Sequence, residues 1–261
     1  MRIGVTGASG ALARAAIGVL TAAGHEVTAL SRTPADGERR ADFDEPEGLG
    51  AAFAGLDRVL LVSTDAWDPR RRVRQHVAAI DAARASGVRH LVYTSLTGCD
   101  GPPEMLNAAH RATEAHLRAA GPGWTILRSG IYAEGVESMI AEARTTRRYV
   151  TNSGDGAVAF VRRDDCAAAA AAVVSAEDVP DGQVLDVTGP EALDADALAA
   201  LAGPDVTVER LSDDAYRAHL SGPAADALVE FGRAIRDGRY GTVTTTVESL
   251  TGRPARRVRM Y

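Results

Sequence analysis

The amino-acid sequence predicts an α/β fold, a doubly wound parallel sheet with a small carboxy-terminal lobe. Three observations carry this expectation. Short, wholly apolar runs recur along the first half of the chain, each followed by a longer stretch of helical period. A glycine-rich turn joins the first of those runs to the first helix. After about Gly130 the alternation loosens, as it does where a lobe closes over a sheet edge. Strands that are apolar throughout are buried on both faces, as in parallel sheets covered by helices. Right-handed crossovers then make winding in both directions the natural topology.

Residues 3–5 form the first expected strand, residues 11–23 the first helix and residues 27–30 the second strand. The next apolar run, 59–62, is followed by a helical segment at 69–86 and a strand at 90–93. A further helix, 103–120, leads to a strand at 124–127. Beyond Gly130, the runs 158–161 and 184–187 read as late strands around an alanine-rich helix, 166–174. The tail holds helical candidates at 213–220 and 224–235. The alanines at 167–172 form helix rather than a low-complexity tract, because alanine has the highest intrinsic helix propensity. No internal repeat is visible, and 261 residues fit one domain of ordinary size.

Hydrophobic residues make up 46% of the chain and aromatic ones 5%, so the core is expected to rest on Val, Leu and Ile, with close contacts through Ala and Gly. The net charge of −6 supplies no basic field for nucleic acid or an anionic membrane. The clusters Arg70-Arg71-Arg72, Arg147-Arg148 and Arg256-Arg257 read as solvated faces. Cys99 and Cys166 make neither a disulfide framework nor a metal pair, which suits a reducing compartment. The chain starts on an apolar strand with no visible leader or spanning helix, so the expected location is the cytoplasm.

The segment Val5-Thr6-Gly7-Ala8-Ser9-Gly10-Ala11-Leu12-Ala13 leaves the first strand and opens the first helix. That is the context a dinucleotide-binding fingerprint requires. Gly7 permits the tight turn, Gly10 lets backbone approach a pyrophosphate, and the small Ala13 lets helix and strand pack closely. The helix then offers unpaired N–H groups and the positive end of its dipole to phosphates. These residues mark a Rossmann-type nucleotide site at the amino-terminal end. Ser31-Arg32 stands where an NAD site places Asp or Glu for the ribose 2′-hydroxyl. A hydroxyl and a guanidinium suit a 2′-phosphate, so NADPH is expected over NADH, with NADH still usable. Asp42-Phe43 flanks the adenine position, and Val62-Ser63-Thr64 ends the strand expected to pass the pyrophosphate and adjoining ribose. Within a single domain, residues 1–130 are then mainly dinucleotide-binding and residues 131–261 mainly the substrate-side lobe.

Thr6-Gly7-Ala8-Ser9-Gly10, Ser31-Arg32, Leu61-Val62-Ser63, Tyr93-Thr94-Ser95 and Leu127-Arg128-Ser129-Gly130-Ile131-Tyr132 together resemble the atypical short-chain dehydrogenases/reductases. Within them the chain is most similar to the NmrA-like group that contains type 2 NAD(P)H:quinone oxidoreductases. Leu211-Ser212-Asp213, Gly222-Pro223 and Leu250-Thr251-Gly252-Arg253-Pro254 extend the resemblance into the tail. It implies NADPH along the carboxyl edge of a Rossmann sheet, with nicotinamide and substrate between sheet and lobe. Group members include quinone reductases, reductases of metabolites and redox-sensing regulators that bind cofactor without turnover. One departure concerns the Tyr-x-x-x-Lys of typical short-chain dehydrogenases, whose places are held by Leu106 and His110. The quinone-reductase group also carries His there, and a quinone needs less proton donation than a simple ketone.

Hydride transfer asks mainly for position, with donor and acceptor carbons in contact in a dry pocket. Candidates to line that pocket are Thr94, Ser95 and Leu96, with His110, Ser129, Gly130, Ile131 and Tyr132. His110 is the leading polar helper, donating to the substrate oxygen or holding ribose hydroxyls, and its ordinary pKa allows either charge state near neutrality. Tyr132 reads as a phenol donor or an aromatic wall, and Ser95 as a further catalytic candidate. Glu114, four residues after His110, reads as its orienting partner or as one of a surface pair. Arg128 reads as a structural ion-pair residue, Cys99 as a buried thiol, and Asp164 and Asp165 as helix caps. Trp67 reads as a stacking or lid residue, or as a plain surface aromatic. The histidines show no metal-ligand spacing.

The resemblance and the residues together imply an NADPH-dependent oxidoreductase that passes hydride to a quinone or another conjugated carbonyl, as a monomer or homodimer. A non-catalytic NADP(H) sensor, and a specialised biosynthetic reductase or non-redox enzyme on the same fold, are the alternatives.

Overall fold

The computed structural model of the chain describes residues 1–259, in which strands and helices alternate much as the apolar runs do. The first half runs β1 (Arg2–Thr6), α1 (Ala11–Ala22), β2 (Glu26–Ser31), β3 (Arg39–Arg40), α2 (Leu49–Phe53), β4 (Arg58–Leu61), α3 (Pro69–Ala85), β5 (His90–Leu96), α4 (Ala108–Ala120) and β6 (Gly123–Ser129). The second half runs α5 (Ala133–Thr146), β7 (Arg148–Thr151), α6 (Arg163–Ser175), β8 (Gln183–Val187), α7 (Ala195–Ala202), β9 (Thr207–Arg210), α8 (Asp213–His219), α9 (Ala225–Arg236) and α10 (Thr246–Thr251). No helix among the described residues is long and apolar enough to cross a membrane.

Seven strands form one sheet in the order β3-β2-β1-β4-β5-β6-β8, and all neighbours are parallel. The direction of winding reverses between β1 and β4, which opens a crevice at their carboxyl ends. Side chains alternate along each strand, so Leu60, Val92 and Leu127 pack on one face while Leu61, Leu91, Tyr93 and Ile126 pack on the other. The first face meets α1 and α6, where Ala13, Ala16, Ala167, Ala170 and Ala171 supply small side chains that let the helices approach closely. The second face meets Phe53 of α2, Ile80 of α3 and Leu117 of α4.

The lobe has its own core, with Val136, Ile140, Tyr149, Phe160, Leu198 and Tyr240, and its own two-stranded parallel sheet, β7 with β9. The chain returns from it to the central sheet through α6 and β8 before completing the lobe. Several expectations are corrected here. Residues 158–161 are not a strand of the sheet: Val158 bridges Leu193, and Val161 bridges Tyr132, so the segment ties the lobe to the start of α5. The fourth helix begins at Ala108 rather than 103, because Asn107 holds the preceding turn through Glu104 N–H and the carbonyls of Gly98 and Pro102. Asp165 is not a cap but a buried anchor for the tail, bound by the Arg253 and Arg256 side chains and the Arg256 N–H. Helices α5 and α7 and the β7–β9 pair are not anticipated from the sequence.

Candidate functional site

At the end of β1, Gly7 turns the chain at φ +65°, a conformation that favours glycine. Gly10 N–H donates to the Gly7 carbonyl at 2.8 Å, and a Cβ on Gly10 would stand 3.2 Å from that same oxygen. Helix α1 starts there with no side-chain cap and no acid in its first turn. Its leading N–H groups are therefore left for an external acceptor, and the dipole favours an anion. Above this turn lies a cleft of about 200 Å³ lined by Gly7, Ser9, Gly10, Arg32, Thr33, Ala41, Asp42, Phe43, Val62, Ser63, Thr64, Asp65 and Gln75.

Gly7, Ser9, Gly10, Arg32, Asp42, Phe43, Val62, Ser63 and Thr64 are thus brought together as residues of one cleft. Ala8 lies beneath it, its N–H donating to Leu30, while Ala11 and Leu12 begin α1, Leu12 in the core. Ser31 differs from expectation: it is buried and its hydroxyl donates to the Thr33 carbonyl, so Thr33 and Arg32 face the cleft instead. Arg32 is exposed and makes no ion pair among the described residues. Asp42 and Asp44, the acids nearest Arg32, already have partners. Arg40 bonds Asp42 and Glu45, while Arg71 and Gln75 bond Asp44 and hold its carboxyl below the usual range. A glycine turn, an uncapped helix and one uncommitted guanidinium fit a phosphorylated dinucleotide.

The other end of the crevice is built by side chains from α3, β5 and α4. Ser63 N–H donates to Thr94 Oγ1 at 2.9 Å, and Thr64 N–H donates to His76 Nε2 at 3.0 Å. With Nε2 accepting, His76 carries its proton on Nδ1 and donates to Thr113 Oγ1 at 2.9 Å, which donates onward to the Ala109 carbonyl. The Tyr93 hydroxyl lies 2.8 Å from His110 Nδ1, and with the hydroxyl as donor the His110 proton sits on Nε2. Burial, joined by the positive charge of Arg72, holds His110 down to about 3; His76 is held to about 3 by burial, His110 and Arg72. Both rings are neutral at physiological pH, which corrects the expectation that His110 carries either charge state there.

Several other candidates change roles. Glu114 does not orient His110: it accepts from Ser95 at 2.6 Å and from Arg128 at 2.8 Å, with Arg118 at 3.2 Å. The Ser95 hydroxyl is therefore committed to a carboxylate, and Arg128 is the structural ion-pair residue expected of it, with Asp100 as its second partner. The Tyr132 ring packs on the core below α6 with Arg163 over its face at 5.0 Å, and burial pushes its phenol up. Burial pushes the Cys99 thiol up to about 11, so it is not an activated nucleophile. Trp67 is exposed. Gly130 sits so close to Ala159 that a Cβ there would meet its carbonyl at 2.9 Å.

Ile131 lines a second cavity, of about 230 Å³, inside the lobe. Its walls are mostly apolar, with Val136, Tyr149, Phe160, Leu198, Leu228 and Phe231 among them. No pattern in the sequence marks it, because its lining comes from elements spread over more than a hundred residues.

A family described as NAD(P)H-binding matches residues 7–177. Quinone oxidoreductase 2 of Escherichia coli is 32% identical over 97% of this chain and 94% of its own. A (4-alkanoyl-5-oxo-2,5-dihydrofuran-3-yl)methyl phosphate reductase of Streptomyces griseus is 33% identical over 97% of this chain and 93% of its own. The crystal structure of the NADPH-dependent quinone oxidoreductase from Escherichia coli, complexed with NADPH, superposes with a TM-score of 0.91 at 30% identity, covering 98% of this chain and 96% of that one. The resemblance to the NmrA-like short-chain dehydrogenases/reductases holds along the chain, and the protein belongs to this NAD(P)H-binding family.

Proposed function

We propose that the protein is a cytoplasmic NADPH-dependent oxidoreductase that passes hydride to a quinone or another conjugated carbonyl. The observation that carries this reading is one sheet edge with two unlike ends. At one end an uncapped glycine turn faces an unpaired Arg32; at the other a neutral, buried network ends on His110, where a Tyr–Lys acid is absent.

Bound in the cleft, NADPH supplies the hydride. The remaining work falls to the chain. The α1 N-terminus with Gly7 and Gly10 receives the pyrophosphate, Arg32 the 2′-phosphate, and Asp42 and Phe43 flank the adenine. The bonds from Ser63 to Thr94 and from Thr64 to His76 hold the loop after β4 against the sheet, fixing the wall that the cofactor passes. His110 presents a neutral Nε2–H to the acceptor oxygen; it polarises but does not protonate. Such a site suits a quinone, whose reduction restores aromaticity and asks little of a general acid. Gly130 and Ile131 lead toward the lobe cavity, which accommodates the apolar body of the acceptor.

In this reading residues 1–130 serve mainly the dinucleotide and residues 131–261 mainly the substrate, in a monomer or homodimer with no nucleic-acid or membrane partner. The relative from Streptomyces griseus favours a second reading, a specialised reductase of a conjugated lactone. The test is to mix the protein and NADPH with a panel of benzoquinones, naphthoquinones and unconjugated ketones. NADPH oxidation on quinones and not on simple ketones is the expected result. Tight NADPH binding without turnover on any acceptor would overturn it in favour of an NADP(H) sensor.

A further inference from the structure

Arg72 stands one turn before His76 on α3, so both side chains leave the helix on the face that meets β5 and α4. The sequence groups it with a solvated basic run, and Arg70 and Arg71 are exposed, but Arg72 is half-buried. Its Nε is fully buried with no hydrogen-bond partner, and its guanidinium makes no hydrogen bond or ion pair among the described residues. Two other arginines that enter the fold show the contrast. Arg128 is bound by Glu114 and Asp100, and Arg58 by the carbonyls of Val174 and Ala176. A partly buried cation left without an acceptor is costly and marks a place made to receive negative charge.

Its position says which charge. Arg72 shares its helix face with His76, whose Nδ1 lies 3.4 Å from the Tyr93 hydroxyl, itself 2.8 Å from His110 Nδ1, and its positive charge helps hold both histidines neutral. Asp65 is exposed and makes no ion pair with it. His110, being neutral, offers a hydrogen bond but no charge.

We propose that Arg72 is the cation that meets the negative charge formed on the acceptor oxygen as the acceptor is reduced. This inference rests on the reductase reading above and adds a catalytic residue to it. A quinone that takes up a hydride gains two electrons and one proton. The hydride forms an O–H bond at one quinone oxygen, both C=O π bonds are given up to the aromatic ring, and the other oxygen is left as a phenolate. A proton from water then completes the hydroquinone. His110 donates a hydrogen bond to the oxygen, and Arg72 supplies the charge that the absent lysine supplies elsewhere.

The test uses protein loaded with NADP⁺ and two dead-end ligands. 2-Hydroxy-1,4-naphthoquinone is an anion at neutral pH and carries the charge of the half-reduced acceptor; 2-methoxy-1,4-naphthoquinone has nearly the same shape and no charge. Arg72→Gln is expected to weaken the anion by about tenfold or more and the neutral analogue by less than about twofold. Arg72→Lys recovers most of the loss, and NADP⁺ affinity stays unchanged in both variants. In turnover, the kcat lost in Arg72→Gln grows along a quinone series as the hydroquinone becomes less acidic. Equal weakening of the two ligands, or loss of NADP⁺ affinity with anion preference intact, would overturn the proposal. If wild-type protein turns over no quinone yet keeps an Arg72-dependent preference for the anion, the anion site stands and the reductase reading falls.

Discussion

The two ends of the crevice are made in different ways. The glycine end is local: Gly7 and Gly10 bond each other, and an uncapped helix begins beside them. The histidine end is assembled from a distance, with Thr64, His76, Tyr93, His110 and Thr113 converging from a loop, two helices and a strand. The first end is polar, open and anion-seeking. The second is buried and neutral apart from Arg72. A backbone device tolerates little change in the residues that shape it, whereas a side-chain network can lose a member and keep its scaffold. Substitutions at the two ends should therefore fail in different ways.

The largest effect is expected from Gly7→Val, which puts a β-branched side chain at a positive φ and blocks the turn. NADPH affinity measured by calorimetry should fall by about a hundredfold. Retained affinity would show that the turn is not the phosphate site. At the other end, His110→Ala should lower kcat on a quinone by about tenfold or more while NADPH affinity holds. An unchanged rate would remove His110 from the reaction. Arg32→Ala should weaken NADPH by about tenfold and leave NADH nearly unchanged. Equal weakening of both cofactors would sink the 2′-phosphate assignment.

The smallest effect is on stability. His76 and His110 are neutral in the fold, at about 3, but take up protons in the unfolded chain below about pH 6.5. Their contribution is complete above that pH and is lost as pH falls from about 6.5 toward 3, because the unfolded state binds more protons there. Urea midpoints should decline through this window, and less steeply in His76→Gln or His110→Gln. A flat wild-type profile between about pH 6.5 and 4.5 would show that the two rings do not resist protonation.

The same contrast explains what the sequence disclosed. The glycine turn and Arg32 were legible because each is set by neighbours a few residues away. The sheet was legible because Leu60, Val92 and Leu127 repeat an apolar strand pattern that only burial on both faces explains. Ser31 is not legible as a buried residue, because a two-residue hydrogen bond to Thr33 turns its hydroxyl away. Helical spacing offers Glu114 to His110 or to a surface pair, yet Ser95 and Arg128 on neighbouring strands claim it. Arg72 was hidden in a basic run, and only α3 docking on β5 and α4 separates it from its exposed neighbours. The lobe cavity left no trace, because no single segment carries enough of its wall to form a pattern.

The central claim is that one cofactor spans both ends and is used there. Its most direct test is steady-state oxidation of NADPH and of NADH by 1,4-naphthoquinone, compared in the same preparation. The account predicts turnover with both and a kcat/KM for NADPH above that for NADH by about tenfold or more. A preference for NADH, or no oxidation of either despite tight binding, would contradict it.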